Sequence, residues 1–461
     1  MALPTPTRLH ALLDALSAGL LEREAAVRLM LLTALTGAHV LLLGPPGTAK
    51  SELARRLQQA FADAPWFERL LTRFSTPEEL FGPLSLKALE EDRYERLTAG
   101  FLPTAGVAFL DEVYKANSAI LNALLTLLHE RVFDNGSGRL PVPLVCVVGA
   151  SNEGPADEAL LAFHDRFLVR VPVAPVADES FAALLQLDAG CVNVTQPLTT
   201  AERAAVAQAA SAVALGEDLL AACAALRTRL AADGQPLSDR RWRQWMDLLR
   251  TAAATEGRST TDALDLWTAP YVAAAGPAQV PALQAWVDAE IAQAVPQDAP
   301  WLTRAVEAFE MQLQVEQMAP ADGAEGDDAA GKLALARSIG GAEGDGGMLR
   351  IVSATLEDRL RRRWSPVHVQ ARLDQIDQIA AQASTARGDV AAQAQALATR
   401  LAGRVWLPPG LAARWQAAHA HTLAVLDTLL ARLAATRAGF AAQPQDDTLP
   451  AVTPAAVDVG A

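Results

Sequence analysis

The sequence predicts an α/β protein in which a parallel sheet lies between helices and is followed by helical domains. Three short apolar runs, "HVLLLG", "GVAFLD" and "PLVCVVGAS", alternate with helical periodicity within the first 175 residues. Each run ends at a polar or glycine-rich turn, which is typical of buried parallel strands. From about residue 178 the pattern becomes helical, with Ala and Leu on the apolar faces.

Composition limits the possible functions. A chain of 461 residues with 51% apolar residues is long enough for two to four domains. Its net charge of −14 argues against a general nucleic-acid coat or an anionic membrane surface as partner. The cysteines Cys146, Cys191 and Cys223 lack metal-ligand spacing, and an odd number fits a reducing compartment. With neither a signal-peptide pattern nor a membrane span, we expect a cytoplasmic protein.

The segment "GPPGTAKSELARRL" follows the first apolar run and nearly matches the phosphate-loop pattern G-x-x-x-x-G-K-[ST]. Ala49 replaces the second glycine, and we expect it to have a negative φ at the start of the next helix. Lys50 would reach the β- and γ-phosphates and Ser51 would ligate Mg²⁺. The alternative is a chance turn with an exposed lysine. The predicted phosphate-binding residues are Gly44, Pro45, Pro46, Gly47, Thr48, Ala49, Lys50 and Ser51.

Two further strands end in polar side chains. "VAFLDE" ends in Asp111, which would hold Mg²⁺ through water, and Glu112, which would polarise the attacking water. The alternative is a solvated acid pair. "VCVVGASN" ends at Asn152, whose amide would contact the γ-phosphate or the water, unless it is a turn asparagine.

Three arginines are candidates for charge stabilisation. In "FHDRFLVRV", Arg166 either pairs locally with Asp165 or points into a neighbouring subunit. In "LSDRRW", Ser238 has the pattern of an N-cap, which puts Arg240 and Arg241 in the first helical turn. Cations there oppose the helix dipole, so an anionic ligand nearby is expected.

Together these motifs resemble the MoxR family of AAA+ ATPases, most closely its RavA (regulatory ATPase variant A) type. The resemblance covers most of residues 1–275 and includes the insert "ELFGPLSLKALEEDRYERLTAGFLPTAG" and the hairpin "FDNGSGRLPV" with an Asn135-Gly136 turn. Alanine before the P-loop lysine is usual in that family. The resemblance therefore implies a P-loop AAA+ core with a helix-2 insert, an all-α lid and a C-terminal helical bundle.

The same resemblance implies site roles and partners. It assigns Lys50 and Ser51 to Walker A, Asp111 and Glu112 to Walker B, Asn152 to sensor 1, Arg166 to the arginine finger and Arg240, with Arg241 as a rival, to sensor 2. It implies ATP and Mg²⁺ as cofactors and a homohexamer with ATP at subunit interfaces. It also implies chaperone-like remodelling or maturation of client proteins, commonly with a von Willebrand factor A domain partner.

Composition shifts divide the chain. We predict a nucleotide-binding domain over 1–177, a lid over 178–276 and a C-terminal helical domain from 277–318 and 366–440. The Gly/Asp-rich stretch over 319–365 is expected to be a flexible insert, in which "MLRIVSATL" has the pattern of a reduced β element. Residues 441–461 have the pattern of a frayed tail.

Two rival functions stand beside protein remodelling. Because related inserts occur in replicative helicases, the first rival is a nucleic-acid-dependent motor, which the net acidity and the lack of an aromatic and basic module disfavour. The second is a nucleotide-binding scaffold without catalysis, which the full set of catalytic residue types disfavours. The sequence identifies no client.

Overall fold

The computed structural model describes residues 3–136, 138–155, 158–187, 194–319 and 362–459. Its contacts divide the chain into two compact units. The first contains Met1–Gln293 together with Arg400–Ala413, and the second contains Ala294–Thr399 together with Arg414–Ala461. None of the described helices is long and apolar enough to cross a membrane. The predicted flexible insert and its β element lie mostly outside the described residues.

A five-stranded parallel sheet forms the centre of the first unit, in the order β2-β3-β6-β1-β7. The strands are β1 (Val40–Leu43), β2 (Trp66–Leu70), β3 (Val107–Asp111), β6 (Cys146–Ser151) and β7 (Val169–Pro172). The three predicted strands, β1, β3 and β6, are confirmed as the central ones. The two outer strands escaped prediction because β2 is mostly exposed and Arg170 interrupts the apolar run of β7.

Helices cover the sheet. Those of the α/β part are α1 (Pro6–Ser17), α2 (Glu24–Thr36), α3 (Lys50–Gln59), α4 (Pro77–Phe81), α5 (Leu86–Glu90), α6 (Ser118–Glu130) and α7 (Glu158–His164). Short 3-10 turns lie at Leu102–Thr104 and Val113–Lys115. One side chain from each of several elements meets in a large apolar cluster: Leu41, Phe81, Leu110, Leu124 and Phe163 are all buried there. The α/β class and the order of its elements are therefore as predicted.

The hairpin and the helix-2 insert contact each other. Strands β4 (Val132–Asn135) and β5 (Gly138–Pro141) form an antiparallel pair, as expected. The predicted turn was wrong by one residue, because Asn135 ends β4 and pairs with Gly138. The Asn135 side chain instead accepts a hydrogen bond from the backbone of Arg96 at 2.7 Å and donates one to the Arg96 carbonyl at 3.2 Å.

The remaining elements of the first unit are helical. They are α8 (Asp178–Leu185), α9 (Thr200–Ser211), α10 (Glu217–Ala232), α11 (Asp239–Thr255), α12 (Ala269–Val272) and α13 (Val280–Trp286), with 3-10 turns at Ala263–Thr268 and Pro277–Gln279 and a π-helical turn at Val287–Ile291. Thr199 forms a capping box with Glu202 at the start of α9. Ser238 likewise caps α11, because its side chain accepts from the Arg241 N–H at 3.3 Å.

Residues 400–413 belong to the first unit, although the sequence analysis assigned all of 366–440 to the C-terminal domain. Val405 and Trp406 are buried, and both N–H groups donate to Glu256. Arg404 donates to Asp265 at 2.5 Å and also pairs with Asp262. These contacts fix residues 400–413, hereafter the tip, against the helical part of the first unit. The other domain boundaries stay predictions.

Three long helices form the second unit. They are α14 (Pro300–Met318), α15 (Pro366–Leu401) and α16 (Pro409–Ala441). A Ser-Pro pair precedes the first turn of α15, and the Ser365 hydroxyl accepts from the His368 N–H. Their shared core contains Leu302, Phe309, Ile376, Leu426, Leu433 and Phe440.

The prediction of a frayed tail after residue 440 was wrong for the described residues. Val457 and Val459 pack on the core of the second unit. The Ala455 carbonyl accepts a hydrogen bond from Arg372 at 2.7 Å, and the Val457 N–H donates to Gln375. The tail is ordered because its backbone forms hydrogen bonds with α15 and its valines pack on the core. The polar composition of the tail sequence does not indicate these contacts.

Candidate active site

The phosphate loop leaves the carboxyl end of β1 and leads into α3. A Cβ on Gly44 would lie 2.1 Å from the Val173 carbonyl oxygen, so only glycine fits where the loop passes β7. Gly47 has a φ of +82°, a conformation that glycine adopts without strain. From Gly47 to Ser51 the backbone N–H groups donate no hydrogen bond within the described residues. A row of such donors at a helix N-terminus is suited to binding phosphates.

Ala49 differs from the sequence-based expectation. Its φ is +68° and its ψ is +23°, in the left-handed region, whereas we expected a negative φ. The residue precedes α3 rather than beginning it, since the helix starts at Lys50. A Cβ is strained in this conformation, which explains why the common form of the motif has glycine there.

The Lys50 ammonium group is held by neutral acceptors. Nζ donates to the Gly44 carbonyl at 2.7 Å, to the Pro45 carbonyl at 2.8 Å and to Asn152 Oδ1 at 3.0 Å. Burial lowers the pKa of Lys50, and Asp111 and Glu112 nearby raise it in part. Because no carboxylate pairs directly with Lys50 among the described residues, its charge remains suited to a phosphate.

The Asp-Glu pair lies at the carboxyl end of β3. Asp111 ends the strand, and its Oδ1 accepts from the Glu112 N–H at 3.0 Å. Burial raises the pKa of Asp111, and the Glu112 N–H opposes that rise. Glu112 has a φ of +54°, which is strained for a residue with a Cβ and is common at functional sites.

Asn152 joins Lys50 to Glu112. While its Oδ1 accepts from Lys50, its Nδ2 donates to Glu112 Oε1 at 2.6 Å. The second carboxylate oxygen of Glu112 lies 3.2 Å from the Lys115 ammonium group. Lys50, Asn152 and Glu112 therefore form one hydrogen-bonded chain at the carboxyl edge of the sheet.

Arg166 lies in the turn between α7 and β7. Its Nε and Nη1 atoms are buried and have no hydrogen-bond partner among the described residues. It does not pair with Asp165, so the local pairing considered from the sequence is not observed. A guanidinium group with buried, unpaired nitrogens is costly unless an anion binds it.

The Asp165 carboxylate lies close to three other arginines. It lies 2.8 Å from Arg240, 3.5 Å from Arg241 and 3.9 Å from Arg170. Arg241 is fully buried and also donates to the Phe167, Leu168 and Val272 carbonyls. An anionic ligand was expected near the first turn of α11, and the structure places the Asp165 carboxylate of the same chain there instead. Arg241 is committed to these structural contacts, whereas Arg240 is half-exposed.

The structure separates the predicted site residues into two groups. Lys50, Glu112 and Asn152 lie at the carboxyl edge of the sheet. Arg166 and Arg240 lie together near its amino edge, before β7 begins. The Leu168 carbonyl, which accepts a hydrogen bond from Arg241, lies next to this group. It comes four residues before Pro172, the last residue of β7, so it lies roughly 13 Å from the carboxyl end of that strand.

Sequence reasoning missed two features of this site. One is the role of Asp165, whose three arginine partners come from β7 and α11. The other is a hydrogen bond between Tyr114, two residues after Glu112, and the Nδ1 atom of His164. The only available signal was the unusual density of polar side chains in "HDRFLVR".

A glycine-dependent phosphate loop, an Asp-Glu pair and an asparagine at neighbouring strand ends define a P-loop nucleotide-binding protein. Family models agree with this class. Residues 7–214 match the MoxR domain of MoxR-vWA-beta-propeller ternary systems, and residues 218–287 match an AAA lid domain.

Relatives extend the match. Two uncharacterised proteins of Methanocaldococcus jannaschii are 39% and 38% identical over 264 and 266 residues, which is 56% of this chain in each case and 68% and 69% of theirs. Protein MoxR of Paracoccus denitrificans is 30% identical over 178 residues, covering 37% of this chain and 51% of its own. The chain belongs to the MoxR family of AAA+ ATPases.

Proposed function

We propose that this chain hydrolyses ATP at interfaces between copies of itself and uses the energy to remodel or mature partner proteins. The observation that carries this proposal is the separation of the two groups of site residues. The P-loop, Glu112 and Asn152 lie at one edge of the sheet, and Arg166 and Arg240 lie near the other. Because the two groups lie toward opposite ends of the strands, we expect each nucleotide to receive its arginines from a second copy rather than from its own chain.

The carboxyl edge supports the first half of the reaction. Lys50 would neutralise charge on the transferred phosphate, and Glu112 would accept a proton from the attacking water. Asn152 holds Glu112 through Nδ2 and so orients it. Ser51 and Asp111 are suited to Mg²⁺, because a hydroxyl and a carboxylate are hard oxygen ligands. A bound cation would also offset the burial that raises the pKa of Asp111. When bound, the ion would shield the phosphate charge.

Arg166 and Arg240 would act on the nucleotide of the neighbouring copy. The unpaired nitrogens of Arg166 and the excess of arginines over carboxylates around Asp165 favour binding of an anion. This placement favours a trans role for Arg240 over a role at the P-loop of its own chain. A cyclic homo-oligomer, such as a hexamer, satisfies every site in the same way.

Remodelling and a von Willebrand factor A domain partner are proposed from the family. The matched MoxR domain is described in systems that contain such a domain. A net charge of −14 disfavours nucleic acid as the partner. ATP turnover that rises with added nucleic acid and falls steeply with salt would favour the alternative, a nucleic-acid-dependent motor.

Mixed assemblies test the trans arrangement. Lys50→Ala removes the P-loop ammonium and Arg166→Ala removes the predicted finger, so each variant alone should lose turnover, by about 10³-fold or more for Arg166→Ala. Mixing them should restore activity, since some interfaces pair an intact P-loop with an intact finger. Arg55→Ala, which removes an exposed arginine paired with Glu68, is the control and should stay active alone. Co-assembled mixtures without turnover would contradict the proposal.

Glu112→Gln tests the hydrolytic role separately. The amide keeps the shape of the side chain but cannot take a proton from water. We expect ATP to bind with nearly unchanged affinity and to persist, measured with radiolabelled nucleotide. Prompt phosphate release by this variant would contradict the role of Glu112.

A further inference from the structure

Within one chain, a side-chain hydrogen bond joins the turn after Glu112 to the end of α7, close in sequence to Arg166. Tyr114 lies in the 3-10 turn that follows Glu112, and its hydroxyl forms a hydrogen bond with His164 Nδ1. His164 is the last residue of α7, two positions before Arg166. We infer that Tyr114 and His164 are positioning residues that place Arg166 for the neighbouring copy. This inference rests on the proposed trans function of Arg166.

The protonation of the pair gives the bond a direction. His164 is only 4% exposed, and burial together with the cations of Arg170 and Arg241 lowers its pKa to about 3. Its ring is therefore neutral at pH 7. Burial raises the pKa of Tyr114, so the phenol keeps its proton. Tyr114 is the donor and Nδ1 the acceptor.

Among the described residues, one side chain, that of Tyr114, forms a hydrogen bond to the His164 ring. Its second nitrogen lies toward the Ala275 carbonyl without a hydrogen bond of normal geometry. The ring also lies against the Tyr114 ring, with centroids 6.0 Å apart. The hydroxyl of Tyr114 therefore orients the buried ring and, through it, the turn that carries Arg166.

Glu112 does not depend on this bond. Asn152 holds one oxygen of its carboxylate at 2.6 Å, and Lys115 holds the other at 3.2 Å. Loss of the Tyr114 hydroxyl should therefore affect the arginine turn rather than the catalytic acid. If Tyr114 only stabilised the fold, its loss would affect the arginine turn and Glu112 alike.

The test uses the mixture of Lys50→Ala and Arg166→Ala chains and adds one substitution, Tyr114→Phe, to one kind of chain or to the other. Full-length Lys50→Ala chains supply the finger, and Arg166→Ala chains hydrolyse ATP. Tyr114→Phe in the Lys50→Ala chain should lower the activity of the mixture roughly tenfold, as expected when one hydrogen bond no longer positions a catalytic group. In the Arg166→Ala chain it should lower activity by less than about twofold.

The two placements carry the same substitution, so a general loss of stability would affect both equally. Equal losses, or a larger loss in the hydrolysing chain, would overturn the inference and leave the trans proposal intact. An inactive parent mixture would instead overturn the trans proposal. His164→Phe removes the acceptor and should reproduce the placement dependence. Tyr114→Phe and His164→Phe combined in the Lys50→Ala chain should lower the activity of the mixture no more than either substitution alone, since both remove the same hydrogen bond.

Discussion

Ala49 shows at the scale of one residue how a binding loop tolerates strain. Its φ of +68° places a Cβ where glycine is preferred. We expect Ala49→Gly to raise the free energy of unfolding by about 1 kcal/mol, because it relieves this strain. Urea unfolding of the full chain measures the change.

The control for Ala49→Gly is Ala207→Gly, an exposed position within α9. Glycine inside a helix has greater freedom to lose on folding, so this variant should be destabilised by about 1 kcal/mol. The two substitutions are chemically identical and should shift stability in opposite directions. Destabilisation of both variants would show that Ala49 is not strained.

His39 predicts a pH dependence of stability. Its Nδ1 accepts from the Val147 N–H and its Nε2 contacts the Leu128 carbonyl, and burial lowers its pKa to about 3. The unfolded chain, with an ordinary histidine pKa, then binds more protons below about pH 6.5. Stability should fall on acidification through that value, by roughly 1 kcal/mol at pH 5.5 for this group.

His39→Gln offers similar hydrogen-bonding groups without a titration near neutral pH. Its unfolding free energy should change less between pH 7.5 and pH 5.5 than that of the parent chain. His129→Gln, at an exposed position of α6, is the control for the substitution itself. If His39→Gln and the parent respond alike to acid, His39 is not held neutral by the fold.

At the scale of elements, the hairpin depends on one glycine. Gly136 has a φ of +67°, and a Cβ there would lie 1.5 Å from the Tyr94 carbonyl oxygen of the helix-2 insert. Gly136→Ala should therefore separate the hairpin from the insert. Faster hydrogen exchange over residues 82–101 would report that separation.

Gly138→Ala is the matched control in the same hairpin, because a Cβ at Gly138 meets no atom within 4 Å. It should leave exchange in the insert unchanged. If both variants behave alike, the close approach of Gly136 to Tyr94 does not hold the two elements together.

The strands that could be predicted from the sequence share one physical property. β1, β3 and β6 are central strands covered on both faces, so their sequences are uninterrupted apolar runs. The outer strand β2 contains the exposed Glu68 and Arg69, and no such run marks it. Local pattern alone therefore could not reveal the edges of the sheet.

The same limit applies to the site. Lys50, Glu112 and Asn152 each follow a strand within a few residues, and parallel strands bring their carboxyl ends together. The contacts of Asp165 depend on how α11 packs against β7, which is a tertiary property. Left-handed φ values at Ala49 and Glu112 likewise have no sequence signal, because neither residue is glycine.

For the whole molecule, the tip changes the domain division expected from the sequence. That division assigned all of 366–440, and with it the tip, to a C-terminal helical domain. Yet the tip belongs to the first unit, and Arg404 reaches Asp262, Asp265 and Glu256 there. Arg28 of α2 also donates to the Val405 carbonyl. Removal of the tip would leave those carboxylates without a partner they have in the intact chain.

Arg404→Ala tests this without truncation. The side chain is 7% exposed and Asp265 is 3% exposed. The variant would leave the buried Asp265 and Glu256 to share Arg258, and should lose about 2 kcal/mol of stability. Arg400→Ala is the control, since its longer contacts to Asp218 and Asp262 are exposed and should contribute less than about 1 kcal/mol. Urea unfolding, followed together with hydrogen exchange over α11, measures both variants. Equal small losses would mean that Arg404 contributes little to holding the tip against the rest of the first unit. A large loss confined to Arg404→Ala would make the tip part of the ATPase itself, because a buried charge network stabilises only the structure that encloses it.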